Sequence, residues 1–371
     1  MKFSVSSSDL LKKIQVATGV LPTNAIMPIL DDFLMELKGD QLTLIASDLE
    51  TTLRTVITVN GVEDGTMAVR GKILNDTIKA LPEQPIEFAK EENESILVIK
   101  TSNGEYKLAS DNFEEFPQIP DAVTSEGVEI PVPILESAIS RTLFATSNDE
   151  MRQAMMGVYL HIQKDKLIFV ATDAHKLVKY TYLDFNTSQE GSMIIPKKSL
   201  NLVRQALKGS GNVKLNYSNS HVFMEMEDTE IGCRLIDAQF PNYNAVIPTE
   251  NPNLLTIDRV SFIQSLKRIS IYANKTTNQL VLTLDNDGIL IKAQDLDYHN
   301  EAEEKLSCQY SGDPMEVAFN SKFLVEMLTV LDTDDVIMEF STPNRASLIL
   351  PSSSADDEDL LMLVMPVMVN R

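Results

Sequence analysis

The chain has 371 residues, 43% hydrophobic and 23% charged, with a formal net charge of −22 and no tryptophan. No run approaches the ~18 apolar residues of a membrane-spanning helix, and the first thirteen residues hold no apolar stretch of signal-peptide length; a cytoplasmic location is expected. Cys233 and Cys308 stand far apart, without CxxC or metal-ligand spacing, and are expected to be reduced and structural.

In chain order, a strand over Lys2–Val5 is followed by a helix over 8–20. Leu34–Leu37, Gln41–Ala46 and Thr52–Val59 alternate apolar and polar residues as half-buried strands do, with a turn at Gly39-Asp40. A second helix is predicted over 70–81. The same order then recurs. A strand over Val128–Val132 leads to a helix over 133–145, a turn at Lys164-Asp165 and a helix over 196–208. A third strand over Leu254–Ile257 leads to a helix over 258–272, a turn at Asp287-Gly288 and a helix over 320–331. Pro133 and Pro196 are expected in the first turns of their helices, where a missing N–H costs nothing.

Short markers repeat with a period of about 125 residues, too long for a solenoid unit and right for a whole domain. They are Ala46-Ser47-Asp48, Ala171-Thr172-Asp173 and Ala293-Gln294-Asp295, then Phe116-Pro117, Phe240-Pro241 and Met365-Pro366. The expected fold class is α+β, in three tandem domains over 1–122, 123–250 and 251–371. Each would set two helices against roughly eight antiparallel strands. The polar stretches Pro120–Gly127 and Pro248–Asn253 read as linkers, and Ser352–Asp359 as an acidic surface loop.

Charge is unevenly placed. The six helical segments hold fourteen basic and five acidic residues, an excess of nine positive charges that leaves the remainder at −31. In the helix over 196–208, Leu200, Leu202, Val203, Ala206 and Leu207 share one side; Lys197, Arg204 and Lys208 form a stripe on the other, with Lys198 at its edge. Such a stripe serves equally as a solvated helix face. If all the helices face one way, they offer a cationic surface to phosphates without base reading. Few aromatic residues on the helices argue against stacking on single strands and favour a duplex.

Several segments carry a resemblance to a known family. They are Pro28-Ile29-Leu30; Ser47-Asp48-Leu49-Glu50; Phe144-Ala145-Thr146-Ser147 with Arg152 and Gly157; and Ala171-Thr172-Asp173-Ala174-His175-Lys176-Leu177. Arg234-Leu235-Ile236 before Phe240-Pro241, and Val364-Met365-Pro366-Val367 near the end, complete the set. In order, spacing and total length the chain resembles the bacterial sliding clamp, the β subunit of the replicative DNA polymerase. The resemblance implies three clamp-type domains per chain and a head-to-tail homodimer closing into a ring around double-stranded DNA, with no catalysis and no cofactor. It implies a pocket for short peptide motifs of polymerase, clamp-loader and repair proteins. The matching positions are Met155, Thr172, Ala174, His175, Lys176, Leu177, Pro241, Val246, Asn320, Phe323, Met365, Pro366, Val367 and Met368. Apolar, methionine-rich walls of this kind adapt to varied ligands. Motif matches also give Arg70, Lys72, Arg152, Lys197 and Lys198 as DNA contacts; helix position adds Lys12, Lys13, Arg204, Lys208, Lys267 and Arg268. The family often has an arginine in the loop before Pro28. Here the loop reads Thr23-Asn24-Ala25-Ile26-Met27, leaving Asn24 to meet a phosphate.

Two other readings stay open at this level. Asp173 and His175 would share a face of an extended strand, so a hydrolytic or metal site can be drawn there, although no HExxH, GxSxG, P-loop or GxGxxG occurs. A bound stoichiometric metal would favour it. A repeat-domain scaffold that binds only proteins would share the fold and the apolar pocket, and would show no dependence on DNA topology.

Overall fold

The computed structural model describes residues 1–91, 95–120 and 127–368. Six α-helices are present among them: α1 (Ser7–Thr18), α2 (Gly71–Ala80), α3 (Val132–Thr142), α4 (Lys197–Ala206), α5 (Arg259–Ile269) and α6 (Ser321–Thr329). Each lies within or within a residue of a segment predicted from apolar spacing. The helices bury one stripe each: Leu10, Ile14 and Ala17 on α1, Leu200, Leu202 and Val203 on α4, and Leu324, Met327 and Leu328 on α6. Burying each leucine- or isoleucine-sized side chain stabilises by roughly 1.5–3 kcal/mol. Short strands Lys2–Ser6, Val128–Pro131 and Asn253–Asp258 precede α1, α3 and α5, so the repeated strand–helix order holds. The described residues of the three repeats hold nine, eight and nine strands.

Two local expectations need correction. Pro196 is the last residue of the strand Gly191–Pro196, so it precedes α4; its C=O and side chain still permit ladder pairing at the strand end. Pro133, the second residue of α3, stands in the first turn as expected. The third-repeat turn is Asn286-Asp287, and Gly288 opens the next strand with φ of 132°, a conformation that favours glycine. Residues 121–126 of the first predicted linker lie outside the described residues.

The chain forms two compact units, residues 1–136 with 198–235, and residues 137–197 with 236–371. In the first unit one sheet of thirteen antiparallel strands runs from repeat one into repeat two. The joint is Thr51–Thr58 against Thr229–Arg234, with Thr51 opposite Cys233. α1 packs beside α2. At the start of α2, Gly71 leaves room for Leu21 and Phe33: a Cβ there would lie 2.6 Å from Leu21 Cδ1 and 3.0 Å from the Phe33 ring. In the second unit a nine-stranded sheet joins repeat two to repeat three through Lys176–Tyr182 against Glu358–Val364, with Lys176 opposite Val364. A four-stranded sheet stands beside it, in the order Asn300–Leu306, Gly288–Asp295, Gln279–Asp285, Met315–Asn320. α5 packs beside α6. Each joint opens just after one of the repeated Ser/Thr-Asp markers. Among the described residues no helix is long and apolar enough to cross a membrane.

Candidate peptide and phosphate sites

The repeated aspartate builds a turn. Asp173 Oδ1 accepts the backbone N–H groups of His175 and Lys176, both at 2.9 Å. Asp48 Oδ1 does the same for Glu50 at 3.0 Å and Thr51 at 2.6 Å, and Asp295 Oδ1 accepts Asp297 N–H at 3.1 Å. In the first two turns the residue after the aspartate is left-handed, Leu49 at φ 76° and Ala174 at φ 75°. The expectation that Asp173 and His175 sit on one face of an extended strand is therefore wrong. The aspartate caps the turn, as short carboxylates do. It meets the backbone of His175, while the His175 ring stacks on Phe323 at 6.1 Å between centroids. Among the described residues no cluster of three or more His, Cys, Asp or Glu is placed to hold a metal.

Below this turn lies an apolar cluster of Ile168, Val170, Leu177, Ala346, Leu348 and Leu363, with Tyr159, Phe240, Tyr243, Ile247, Leu350 and Leu361 packed on it. Tyr159 stacks on Phe240 at 4.8 Å. Of the fourteen predicted pocket residues, Leu177 is in the cluster and Thr172 and Lys176 are buried in the turn beside it. Ala174 and His175 are exposed at the turn's crest, and Met155 ends the short 3-10 helix Glu150–Met155. Pro241 and Val246 lie in the loop that carries Phe240 and Tyr243; Val246 is exposed. Asn320 caps α6, its Oδ1 accepting the Lys322 N–H at 3.0 Å, and Phe323 is on the first turn. The tail is tied by backbone bonds, Met365 N–H to His175 C=O and Val367 N–H to Ala318 C=O, both 2.8 Å. Met365 and Met368 remain exposed, and Pro366 is half-buried between them. Sequence reasoning missed Tyr159, Ala346, Leu348 and Leu361. Tyr159, Leu348 and Leu361 alternate as strand residues do and Ala346 lies just before a strand, and nothing local says which face meets the turn.

Lys176 is the unusual member. It is 5% exposed, and its Nζ lies 2.9 Å from Glu326, 3.1 Å from Asp173 and 4.4 Å from the Phe323 ring centroid. A buried ammonium is tolerated only with such partners. It pins α6 to the turn, so Lys176 supports the wall and contributes little open surface.

The predicted phosphate-facing cations divide into two groups. Lys72, Arg204, Lys208 and Lys267 are exposed, and Arg204 makes a long 3.4 Å contact with Asn201. Lys12 is exposed beside Asp9 at 3.1 Å, and Asn24 is exposed in its loop. Lys197 donates to Asn148 at 3.2 Å, and Arg152 faces Asp149 at 3.4 Å. The second group is held by carboxylates. Lys13, 14% exposed, pairs with Asp228, whose carboxyl stays below its ordinary range although burial pushes the other way. Lys198 donates to Asp48 at 2.5 Å and to Val20 C=O at 2.8 Å, and Arg268 grips Glu304 with two bonds of 2.8 and 2.7 Å.

Arg70 is shared among Asp31, Asp32 and Asp111 at 3.2, 3.4 and 3.3 Å. Asp32 is fully buried. Burial first, and then the neighbouring Asp111 charge, raises its carboxyl to about 7; Arg70 acts the other way.

Three family models of the DNA polymerase III beta subunit match in order: the N-terminal domain over residues 1–120, the central domain over 129–242 and the C-terminal domain over 244–368. The beta sliding clamp of Synechococcus elongatus is 27% identical over 378 residues, covering 99% of each chain. That of Treponema pallidum is 28% identical over 371 residues, also covering 99% of each. The solved sliding clamp of Pseudomonas aeruginosa superposes with a TM-score of 0.92 at 27% identity, covering 100% of both chains. Three domains matched in sequence order, over a fold shared from end to end, show that the chain belongs to the DNA polymerase III β subunit, or β sliding clamp, family.

Proposed function

We propose that this protein is a DNA sliding clamp: a non-catalytic ring that encircles double-stranded DNA and tethers the replicative polymerase to it. Two chains join head to tail, each contributing three domains, over 1–122, 123–250 and 251–371. The observation that carries this reading is the match of all three β-subunit domain models along the chain, in order. The excess of nine positive charges on the helical segments of a −22 chain supports it. Encirclement makes retention topological, so weak and screened phosphate contacts suffice and still permit sliding. Exposed Lys72, Arg204, Lys208 and Lys267 are the readiest of these contacts. The carboxylate-held Lys13, Lys198, Arg70 and Arg268 must exchange one partner for another. The cluster around Leu177, His175, Phe323 and the 365–368 tail takes short apolar peptides of polymerase, clamp-loader and repair proteins. The work is done in the cytoplasm. Sedimentation equilibrium tests the ring: a mass of two chains is expected, and a monomer at micromolar concentration contradicts it.

A further inference from the structure

Three carboxylates crowd one guanidinium in the first repeat. The charged groups facing the fully buried Asp32 are Asp31 from the 3-10 helix Pro28–Asp31, Arg70 from the end of the strand Gly65–Arg70, and Asp111 from the end of the strand Glu105–Asp111. Arg70 reaches all three carboxylates within 3.4 Å. Its contact with Asp32 is an ion pair without hydrogen-bond geometry, and both Asp32 oxygens lie buried with no hydrogen-bond partner. An ionised Asp32 therefore leaves an excess of two negative charges in the site. A proton on Asp32 halves that excess and supplies a donor, with the Asp111 carboxylate beside it as acceptor.

The same place in the other repeats carries no charge. The ladder pair Asp32–Arg70, just before α2, corresponds to Gly157–Pro196 before α4 and to Gln279–Asn320 before α6. The segments crossing these strand ends correspond as well. Asp111 pairs with Ala68, Ile236 N–H bonds Ile194 C=O at 3.0 Å, and Val367 N–H bonds Ala318 C=O at 2.8 Å. Ile236 and Val367 follow Thr229–Arg234 and Glu358–Val364, the strands that complete the two joints inside the chain. Their first-repeat counterpart is Glu105–Asp111, so in a head-to-tail ring it is the strand left for the joint with the second chain. Beyond Asp111, Asn112 Oδ1 accepts the Glu114 N–H at 3.2 Å, and Phe116 packs on Ile29, Leu30 and Ala68. Asp111 thus ties down the end of that strand and the apolar plug that follows it.

We propose that Asp31, Asp32, Arg70 and Asp111 form a proton-operated latch on the strand Glu105–Asp111, closed while Asp32 holds its proton, and that this latch must open before the joint between chains can part. It rests on the reading of the protein as a ring of two chains. Burial and Asp111 hold the Asp32 carboxyl at about 7 in the closed latch, against 3.8 when water reaches it. Protonation therefore favours the closed form. Its contribution is complete below pH 4 and is lost as pH rises through 7. Between pH 6 and pH 8.5 the closing equilibrium weakens about tenfold. Encirclement of a closed duplex requires one joint to part. The proton-bearing cluster marks the joint between chains, and not the two inside the chain, as the one that yields.

The test is amide hydrogen exchange of the full-length protein from pH 5 to pH 8.5, read by mass spectrometry and normalised to unstructured-peptide rates. Over residues 108–117, protection is expected to fall about tenfold between pH 6 and pH 8.5 in the wild type and to change less than twofold in Asp32→Asn. The counterpart segment 234–240 should show no such fall. Asp111→Asn, at a half-exposed position, removes a charge that raises Asp32 and should move the fall to lower pH, which loss of a merely structural contact would not do. Subunit exchange between nitrogen-15-labelled and unlabelled protein, read by native mass spectrometry, should run about tenfold faster at pH 8.5 than at pH 6 in the wild type and at one rate in Asp32→Asn. Protection that is equal at both pH values, an equal fall in Asp32→Asn, or subunit exchange indifferent to Asp32 overturns the proposal. A protein that is monomeric at both pH values defeats the ring reading instead, and hydrogen exchange over 108–117 then decides the latch alone.

Discussion

Replacing Lys176 with methionine keeps the length of the side chain and removes its charge. The ammonium sits within 3.1 Å of two carboxylates and 4.4 Å from the Phe323 ring centroid. Breaking a fully buried ion pair costs about 3–5 kcal/mol. Here Glu326 is 45% exposed and rehydrates when its partner leaves, which removes much of that penalty. Asp173 keeps its two backbone N–H donors. The cation–π contact adds about 1 kcal/mol. The expected total is about 2–3 kcal/mol, shared between the stability of the α6–turn contact and binding of an apolar partner peptide. At about 1.4 kcal/mol per tenfold, an even share lowers peptide affinity by about five- to tenfold. The assay is anisotropy of a labelled apolar peptide, with circular dichroism confirming the fold. Lys176→Met/Glu326→Gln should lose less than the sum of the single variants, because the charge left behind is gone. Peptide affinity of Lys176→Met within twofold of wild type would refute the reasoning.

Arg204→Glu with Lys208→Glu should impair association with DNA more than Lys13→Gln, since Lys13 is already spent on Asp228. Each lost phosphate contact should also flatten the salt dependence by about 0.9 in slope, measured by titration across salt concentrations. Deleting residues 365–371 should abolish binding of the apolar peptide, with thermal melting run alongside to separate lost binding from a loosened third domain. For Asp32 the folded carboxyl is raised from 3.8 to about 7, so its contribution favours folding below pH 4 and is lost as pH rises through 7. Asp32→Asn should therefore raise the unfolding free energy from urea titration at pH 8, by up to about 4 kcal/mol, with a correspondingly higher midpoint, and leave both unchanged near pH 4. Equal midpoints at pH 8 would show that the burial of Asp32 carries no such penalty.

The helices and the strand before each repeat were legible because each buries one stripe against its own neighbours, a pattern that apolar spacing reports. The joints between repeats were not. The pairing of Thr51 with Cys233, or of Lys176 with Val364, depends on edges brought together over more than a hundred residues. The marker aspartates were visible as a repeat, but their role as turn caps needed the backbone: Asp173 looked like half of an acid–histidine pair and instead accepts two N–H groups. For the pocket, the turn and the tail were readable, while Leu348 and Leu361 were ordinary alternating strand residues until the sheet showed which face they presented. Charge was legible by segment and not by pairing. The helical excess stands, yet nothing near Arg70 in sequence reveals that Asp111 would join Asp31 and Asp32 around it.

The most direct measurement is retention on DNA of different topology. The protein is loaded by a clamp loader onto nicked circular duplex, separated from free protein by gel filtration at moderate salt, and the DNA is then cut once by a restriction enzyme. A ring that holds the duplex by encircling it should stay with the circle and run off the linear form within minutes. Equal retention on circular and linear duplex, or no co-elution with the circle, would contradict it.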